Sequence, residues 1–161
     1  MKEEVTQMAD RPNVLVVMTD QHSKFHLRCY GDSVVRTPHL DGLAQRGLRL
    51  DSAYCASPLC VPSRMSFMTG RRPSANRVWT NSHILSSAIP TWAHAMGAAG
   101  YETALLGRMH FIGPDQRHGF EKRPIGQYLA VHPGADIPGG PRFVNTHGTS
   151  GQRRHAVVGL G

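Results

Sequence analysis

The chain has 161 residues, of which 40% are hydrophobic and 18% charged, so it can bury the core of about one domain and is not a largely disordered protein. Its net charge of +7 suits an anionic partner, but the basic residues occur in blocks no longer than pairs, so we expect no nucleic-acid partner. No stretch approaches the ~18 apolar residues of a membrane span, and the charged, polar start does not resemble a signal peptide, so we expect a cytoplasmic protein without a membrane partner.

The first predicted element is a strand over residues 13–18, a short apolar run rich in β-branched side chains. Such a run is typical of a parallel sheet that is covered on both faces. It ends at Thr19-Asp20, and ligands of open α/β sheets bind beyond the carboxyl ends of the strands. Asp20 is therefore a candidate site residue.

A helix and a second strand follow. Thr37 is expected to be the N-cap of the helix, Pro38 its first residue and Gly47 its left-handed end. Residues 48–54 then alternate between apolar and polar side chains, which predicts a strand.

The next elements continue the alternation of helices and strands. Residues 62–69 predict a short helix that ends at Gly70, and residues 91–99 predict another that Gly100 closes. Residues 101–107 predict a buried strand. This alternation favours an α/β fold.

Three segments are expected along the chain. Residues 1–10 form a polar lead, residues 11–130 form the folded portion, and residues 131–161 carry no periodicity and predict an irregular or disordered tail.

Cys60 is the most informative candidate for chemistry. A cysteine at a helix start close to Arg64 suits a reactive centre, whereas a small buried hydrophobic residue is the ordinary role of a lone cysteine. A zinc site with Cys55 lacks a second close pair of ligands, and Arg64 is too near Cys60 for a cysteine-phosphatase loop. With Cys29, the odd number of cysteines argues against a disulfide framework.

The segment Cys60-Val61-Pro62-Ser63-Arg64, followed by Thr-Gly-Arg-Arg-Pro at 69–73, resembles the signature of the sulfatases. Further segments resemble other landmarks of that family in the same order: 13–20, 37–44, 53–58, 100–103 and 107–111. The resemblance covers residues 11–125. It implies an alkaline-phosphatase-like α/β fold, with a mostly parallel sheet flanked by helices. Because sulfatases usually have several hundred residues, we expect an incomplete version, truncated before the later strand that completes the metal site.

The resemblance implies a specific nucleophile. Cys60 would be converted to formylglycine by a formylglycine-generating or other sulfatase-maturing enzyme, and the hydrated aldehyde would attack the sulfur of a small anionic ester. A divalent cation would activate it, calcium first and magnesium or manganese as alternatives. Asp20 and residue 60 would be metal ligands.

The resemblance also implies roles for four other side chains. Arg64 would hold the hydroxyl of the nucleophile, and His110 would contact the nucleophile or the ester oxygens. Arg108, where many sulfatases have a lysine, would bind the sulfate, since a guanidinium can contact an oxyanion through two donors. Asn81 is a candidate substrate contact.

Three functions remain open. The first is sulfate monoester hydrolysis. The second is a phosphonate or phosphodiester hydrolase on the same scaffold, because Gln21 follows Asp20 where many sulfatases have a second aspartate, a feature similar to the choline-sulfatase and phosphonate monoester hydrolase branch. The third is a non-catalytic anion-binding fragment. The sequence does not indicate the oligomeric state.

Overall fold

The computed structural model describes residues 11–126 and the backbone of residues 154–160. Its sheet contains four strands in the order β1-β4-β2-β3, each pair of neighbours parallel. The strands are β1 (Val14–Met18), β2 (Tyr101–Leu106), β3 (Lys122–Ile125) and β4 (Arg154–Leu160). The predicted α/β organisation with a parallel sheet is confirmed.

Four α-helices accompany the sheet: α1 (Pro38–Arg46), α2 (Cys60–Thr69), α3 (Pro73–Asn76) and α4 (Trp92–Ala98). Two 3-10 turns, Lys24–His26 and Arg28–Tyr30, precede α1. Apolar side chains of α2, α4 and β2 form one core with those of the loops between and after them: Val61, Met65, Met68, Val78, Leu85, Ala93, Leu105, Met109, Phe111, Ile112 and Phe120. The core therefore fixes α2 close to the sheet.

Most helix ends follow their predicted signals. Gly70 ends α2 in the left-handed conformation, at φ 65°, and Thr91 caps α4 in a reciprocal pair with His94. Thr37 occupies the N-cap position of α1, although its hydroxyl accepts the amide of Arg28. The left-handed end predicted at Gly47 is wrong, because the chain leaves α1 in an extended conformation there, at φ −123°.

The strand predicted over residues 48–54 is also wrong. Side chains satisfy its backbone carbonyls in place of a neighbouring strand: Tyr30 donates to the carbonyl of Leu50, and Lys24 donates to that of Asp51. Leu48 is 85% exposed, so the alternation of apolar and polar residues does not bury its side chain. The pattern alone was insufficient because no strand pairs with this segment in the described residues.

Two expectations about the sheet need correction. β1 is not covered on both faces, since only Val16 packs against the core while Leu15 and Val17 are 68% and 69% exposed. The irregular tail expected for 131–161 is wrong for residues 154–160, which form β4 between β1 and β2; residues 127–153 lie outside the described residues. In the part of the chain that the structure describes, no helix has the length and apolarity to cross a membrane.

Candidate active site

The helix α2 presents Cys60 as its first residue. Pro62 lies in the first turn, where a missing N–H costs no hydrogen bond. The amide of Ser63 donates to the carbonyl of Leu59 at 3.0 Å, which closes the first turn. Cys60 is half-buried, and all three cysteines of the chain are free thiols. The sequence motif therefore places its candidate nucleophile at the positive end of a helix.

Arg64 lies one turn after Cys60 and connects α2 to the ends of two strands. Only 5% of the residue is exposed. Its Nη2 donates to Oδ1 of Asp20 at 3.0 Å, just beyond β1, and its Nη1 donates to the carbonyl of Arg108 at 2.7 Å, just beyond β2. A buried guanidinium needs such acceptors, and here they fix the distance between the helix and the edge of the sheet.

Asp20 uses both carboxylate oxygens in ion pairs. Its Oδ2 accepts from Nη1 of Arg108 at 3.2 Å, in addition to the contact between Oδ1 and Arg64. The hydrogen bond from Arg64 is the main cause that lowers the pKa of Asp20 below its ordinary value; partial burial opposes it, and the charges of Arg64, Arg108 and His110 support it. Asp20 is therefore ionised at neutral pH.

Arg108 also contacts His110. Its Nη2 lies 2.9 Å from Nδ1 of His110. The same Nη2 lies 3.4 Å from Nε2, and because a guanidinium only donates, the shorter contact favours Nδ1 as the acceptor and the ring proton on Nε2. Burial lowers the pKa of His110, and the charges of Arg108 and Arg64 lower it further against the opposing effect of Asp20. The imidazole is thus neutral at neutral pH.

A pocket of about 820 Å³, hereafter the Cys60 pocket, opens beside these residues. Its lining comes from residues 18–22, residues 54–60 and one side of residues 63–72. Asp20, Cys60 and Arg64 therefore share one cavity, which Arg108 and His110 do not line. Arg108 joins the site through its ion pair with Asp20, and His110 joins it through its contact with Arg108.

Asn81 has a position that the sequence did not suggest. Its Oδ1 accepts the amide of Val61 at 3.0 Å, so it touches the start of α2 rather than lining the Cys60 pocket. The only sequence signal was Leu59, which precedes the helix and has no side-chain acceptor for a cap. Gln21 lines the pocket and has a positive φ of 53°, which no local pattern predicts.

The described residues do not form a complete divalent-cation site. Within the described part, no three His, Cys, Asp or Glu side chains are grouped so as to hold a metal ion. Calcium takes about 6–8 oxygen ligands, and here the one carboxylate, Asp20, already has a guanidinium on each oxygen. The expected ligands Asp20 and residue 60 would therefore supply less than half of the oxygen ligands around a calcium ion.

Comparisons with known proteins show what this chain is similar to. A family model described as Sulfatase matches residues 12–153. Choline-sulfatase of Rhizobium meliloti (strain 1021) is 47% identical over 113 residues, which cover 70% of this chain and 22% of that protein. Steryl-sulfatase of Homo sapiens is 40% identical over 113 residues, which cover 63% and 19% respectively. The chain spans 19–25% of the length of the first curated relatives that it matches.

Solved structures are similar over the same part. One, described as a complex with its substrate D-glucosamine-2-N,6-O-disulfate, has a TM-score of 0.67 at 33% identity and covers 71% of this chain and 23% of its own. Phosphonate monoester hydrolase of Agrobacterium radiobacter has a TM-score of 0.64 at 28% identity, with 71% and 26% covered.

Proposed function

Because the chain belongs to the sulfatase family, we propose that it hydrolyses a sulfate monoester through residue 60. The neighbours confirm the expected alkaline-phosphatase-like α/β fold. Membership implies, in general, a formylglycine nucleophile and a divalent cation. Since the chain covers about a fifth of its curated relatives, the activity of this chain itself is part of the proposal.

The observation that carries the proposal is the cationic network around Cys60. Arg64 and Arg108 converge on Asp20, so two positive charges and one negative charge meet at this edge of the sheet, and Asp20 and Arg64 line the Cys60 pocket. The excess of positive charge and the helix N-terminus both favour an anionic ester.

Formylglycine formed from Cys60 would supply, when hydrated, one hydroxyl that attacks the sulfur while the S–O bond of the ester breaks and the alcohol leaves. The second hydroxyl would then lose its proton, expel the sulfate and restore the aldehyde. Arg64 would hold the attacking oxygen, since its position is fixed by Asp20 and by a backbone carbonyl. Arg108, whose side chain is 36% exposed and pairs with Asp20, would bind a sulfate oxygen. His110 would contact the ester oxygens through Nε2.

The test is turnover of nitrophenyl sulfate by the chain produced together with a formylglycine-generating enzyme. We expect Cys60→Ala to abolish turnover and Cys55→Ala, an exposed cysteine that also lines the Cys60 pocket, to retain it. Mass spectrometry of the tryptic peptide 50–64 should show the aldehyde at residue 60. Equal rates in the wild type and in Cys60→Ala would contradict the proposal. Stabilisation by sulfate without any turnover would instead favour the anion-binding fragment.

A phosphonate or phosphodiester hydrolase is the second candidate. Gln21 in the Cys60 pocket supports it, together with the similarity to the phosphonate monoester hydrolase. A phenyl phosphonate monoester assayed beside nitrophenyl sulfate distinguishes the two by the ratio of kcat/KM.

The proposal includes four further expectations. The substrate is a small anionic ester, and maturation requires a dedicated modifying enzyme. Calcium is the proposed cation because hard oxygen ligands suit it, with magnesium or manganese as alternatives, and further ligands would have to join Asp20. The cytoplasmic location stays a prediction.

A further inference from the structure

The start of α2 lacks a cap from the residue before it. Leu59 occupies the N-cap position and has an apolar side chain. Because the first N–H groups of a helix have no partner within the helix, an acceptor must come from elsewhere. The amide of Val61 obtains it from Oδ1 of Asn81, which is 20 residues later in the chain. Asn81 thus supplies the missing cap next to Cys60.

The turn that carries Asn81 is held on both sides. The amide of Trp79 donates to Nδ1 of His83 at 3.0 Å, and the amide of His83 donates to the carbonyl of Thr80 at 3.2 Å. Val78, directly before the turn, is fully buried in the core. Asn81 is therefore anchored by its own turn and by the core, in addition to its hydrogen bond with α2.

We propose that Asn81 is a positioning residue for residue 60, acting through the amide of Val61 rather than by contact with the substrate. An asparagine suits this role better than an aspartate. Both side chains offer the acceptor oxygen, but a carboxylate would place a negative charge beside a helix start that is to receive an anion. The inference rests on the proposed function only for the identity of that anion.

Amide hydrogen exchange of the Cys60 thiol form tests the cap without any need for turnover. We expect Asn81→Ala to lower the protection of Val61 by about fivefold, a typical loss for a helix cap. Asn81→Asp should keep the protection of Val61. Thr91→Ala, which removes the cap of α4, is the control and should leave the protection of Val61 as in the wild type. Equal protection of Val61 in Asn81→Ala and the wild type would overturn the inference.

Asn81→Asp provides a second reading if Asn81→Ala fails to fold. The amide proton of Val61 should shift as the new carboxylate titrates, and an unchanged shift would overturn the inference. In the matured enzyme, Asn81→Ala should lower kcat about tenfold at unchanged KM, whereas Asn81→Asp should keep kcat and raise KM. Equal losses of kcat in both variants would indicate a substrate contact of the amide group instead. A wild type without turnover would refute the proposed function, while the exchange results would still decide the role of Asn81.

Discussion

Replacing Asp20 with asparagine removes one negative charge, and almost no volume, from the network that joins β1, β2 and α2. The guanidinium of Arg64 would keep its other contact with the carbonyl of Arg108. It would face a neutral oxygen in place of a carboxylate, although its side chain is only 6% exposed. The variant thus removes the charge of Asp20 and one of its two acceptor oxygens.

The expected cost follows from the burial of the two ion pairs. Hydrogen bonds to charged groups contribute about 1.5–3 kcal/mol, and this range applies to the pair with the buried Arg64. The pair with Arg108 joins side chains that are 36% and 34% exposed, for which about 0–1 kcal/mol is typical. Since asparagine keeps one acceptor oxygen, we expect the free energy of unfolding to fall by about 2 kcal/mol.

Urea denaturation at neutral pH measures this loss. Asp51→Asn is the matched control, because the pair between Arg49 and Asp51 joins side chains that are 45% and 69% exposed. We expect the control to lose about 0–1 kcal/mol. Equal losses in the two variants would refute the reasoning that burial of Arg64 sets the cost.

The pH dependence gives a second measurement of the same effect. The lowered pKa of Asp20 means that its contribution to stability is complete above the ordinary aspartate value of 3.8 and is lost as the pH falls through the lower, folded value. The wild type and Asp20→Asn should therefore converge in acid. A constant difference down to the acid transition would contradict a charge effect.

Two further predictions concern neighbouring elements. Arg108→Gln should raise the pKa of His110, because it removes a charge that opposes protonation of the ring, and ring titration by NMR measures this pKa. Because the folded pKa is lowered, the stability of the wild type should fall as the pH drops below 6.5. Denaturation should show a smaller fall in the variant. An unchanged pKa of His110 in the variant would mean that burial, and not the charge of Arg108, lowers it. Gly119→Ala should destabilise the fold more than Gly31→Ala, since both glycines have positive φ but only at Gly119 would a Cβ lie 2.5 Å from Nδ1 of His94. Thermal unfolding should show about 1–2 kcal/mol for Gly31→Ala and about 1–3 kcal/mol more for Gly119→Ala; equal losses would contradict the clash.

Local signals in the sequence predicted the elements that depend on local interactions. β1, α2 and β2 follow apolar runs and glycine ends, and their bounds differ from the prediction by one or two residues. Asp20 and Arg108 could be expected near each other because both follow parallel strands, and the carboxyl ends of such strands meet at one edge.

Interactions between distant segments could not be predicted in this way. β4 pairs with strands whose residues lie far away in the chain, and its apolar run is short and surrounded by glycine-rich sequence. Residues 48–54 have the alternation of a strand, but side chains from other segments donate hydrogen bonds to backbone carbonyls of this segment. The cap from Asn81 also joins distant segments, and only the absence of an acceptor at Leu59 pointed to it.

The position of β4 has a consequence for the order of folding. β1 and β2 are not adjacent, because β4 lies between them and pairs with both. Val14 pairs with Ala156, so the middle of the sheet can close only after residue 156 is available for pairing. Pairings of such large sequence separation form slowly, since the entropy of closing the loop must be overcome first. The ion pair between Asp20 and Arg108 should therefore form late, which makes it a reporter of the final folding step.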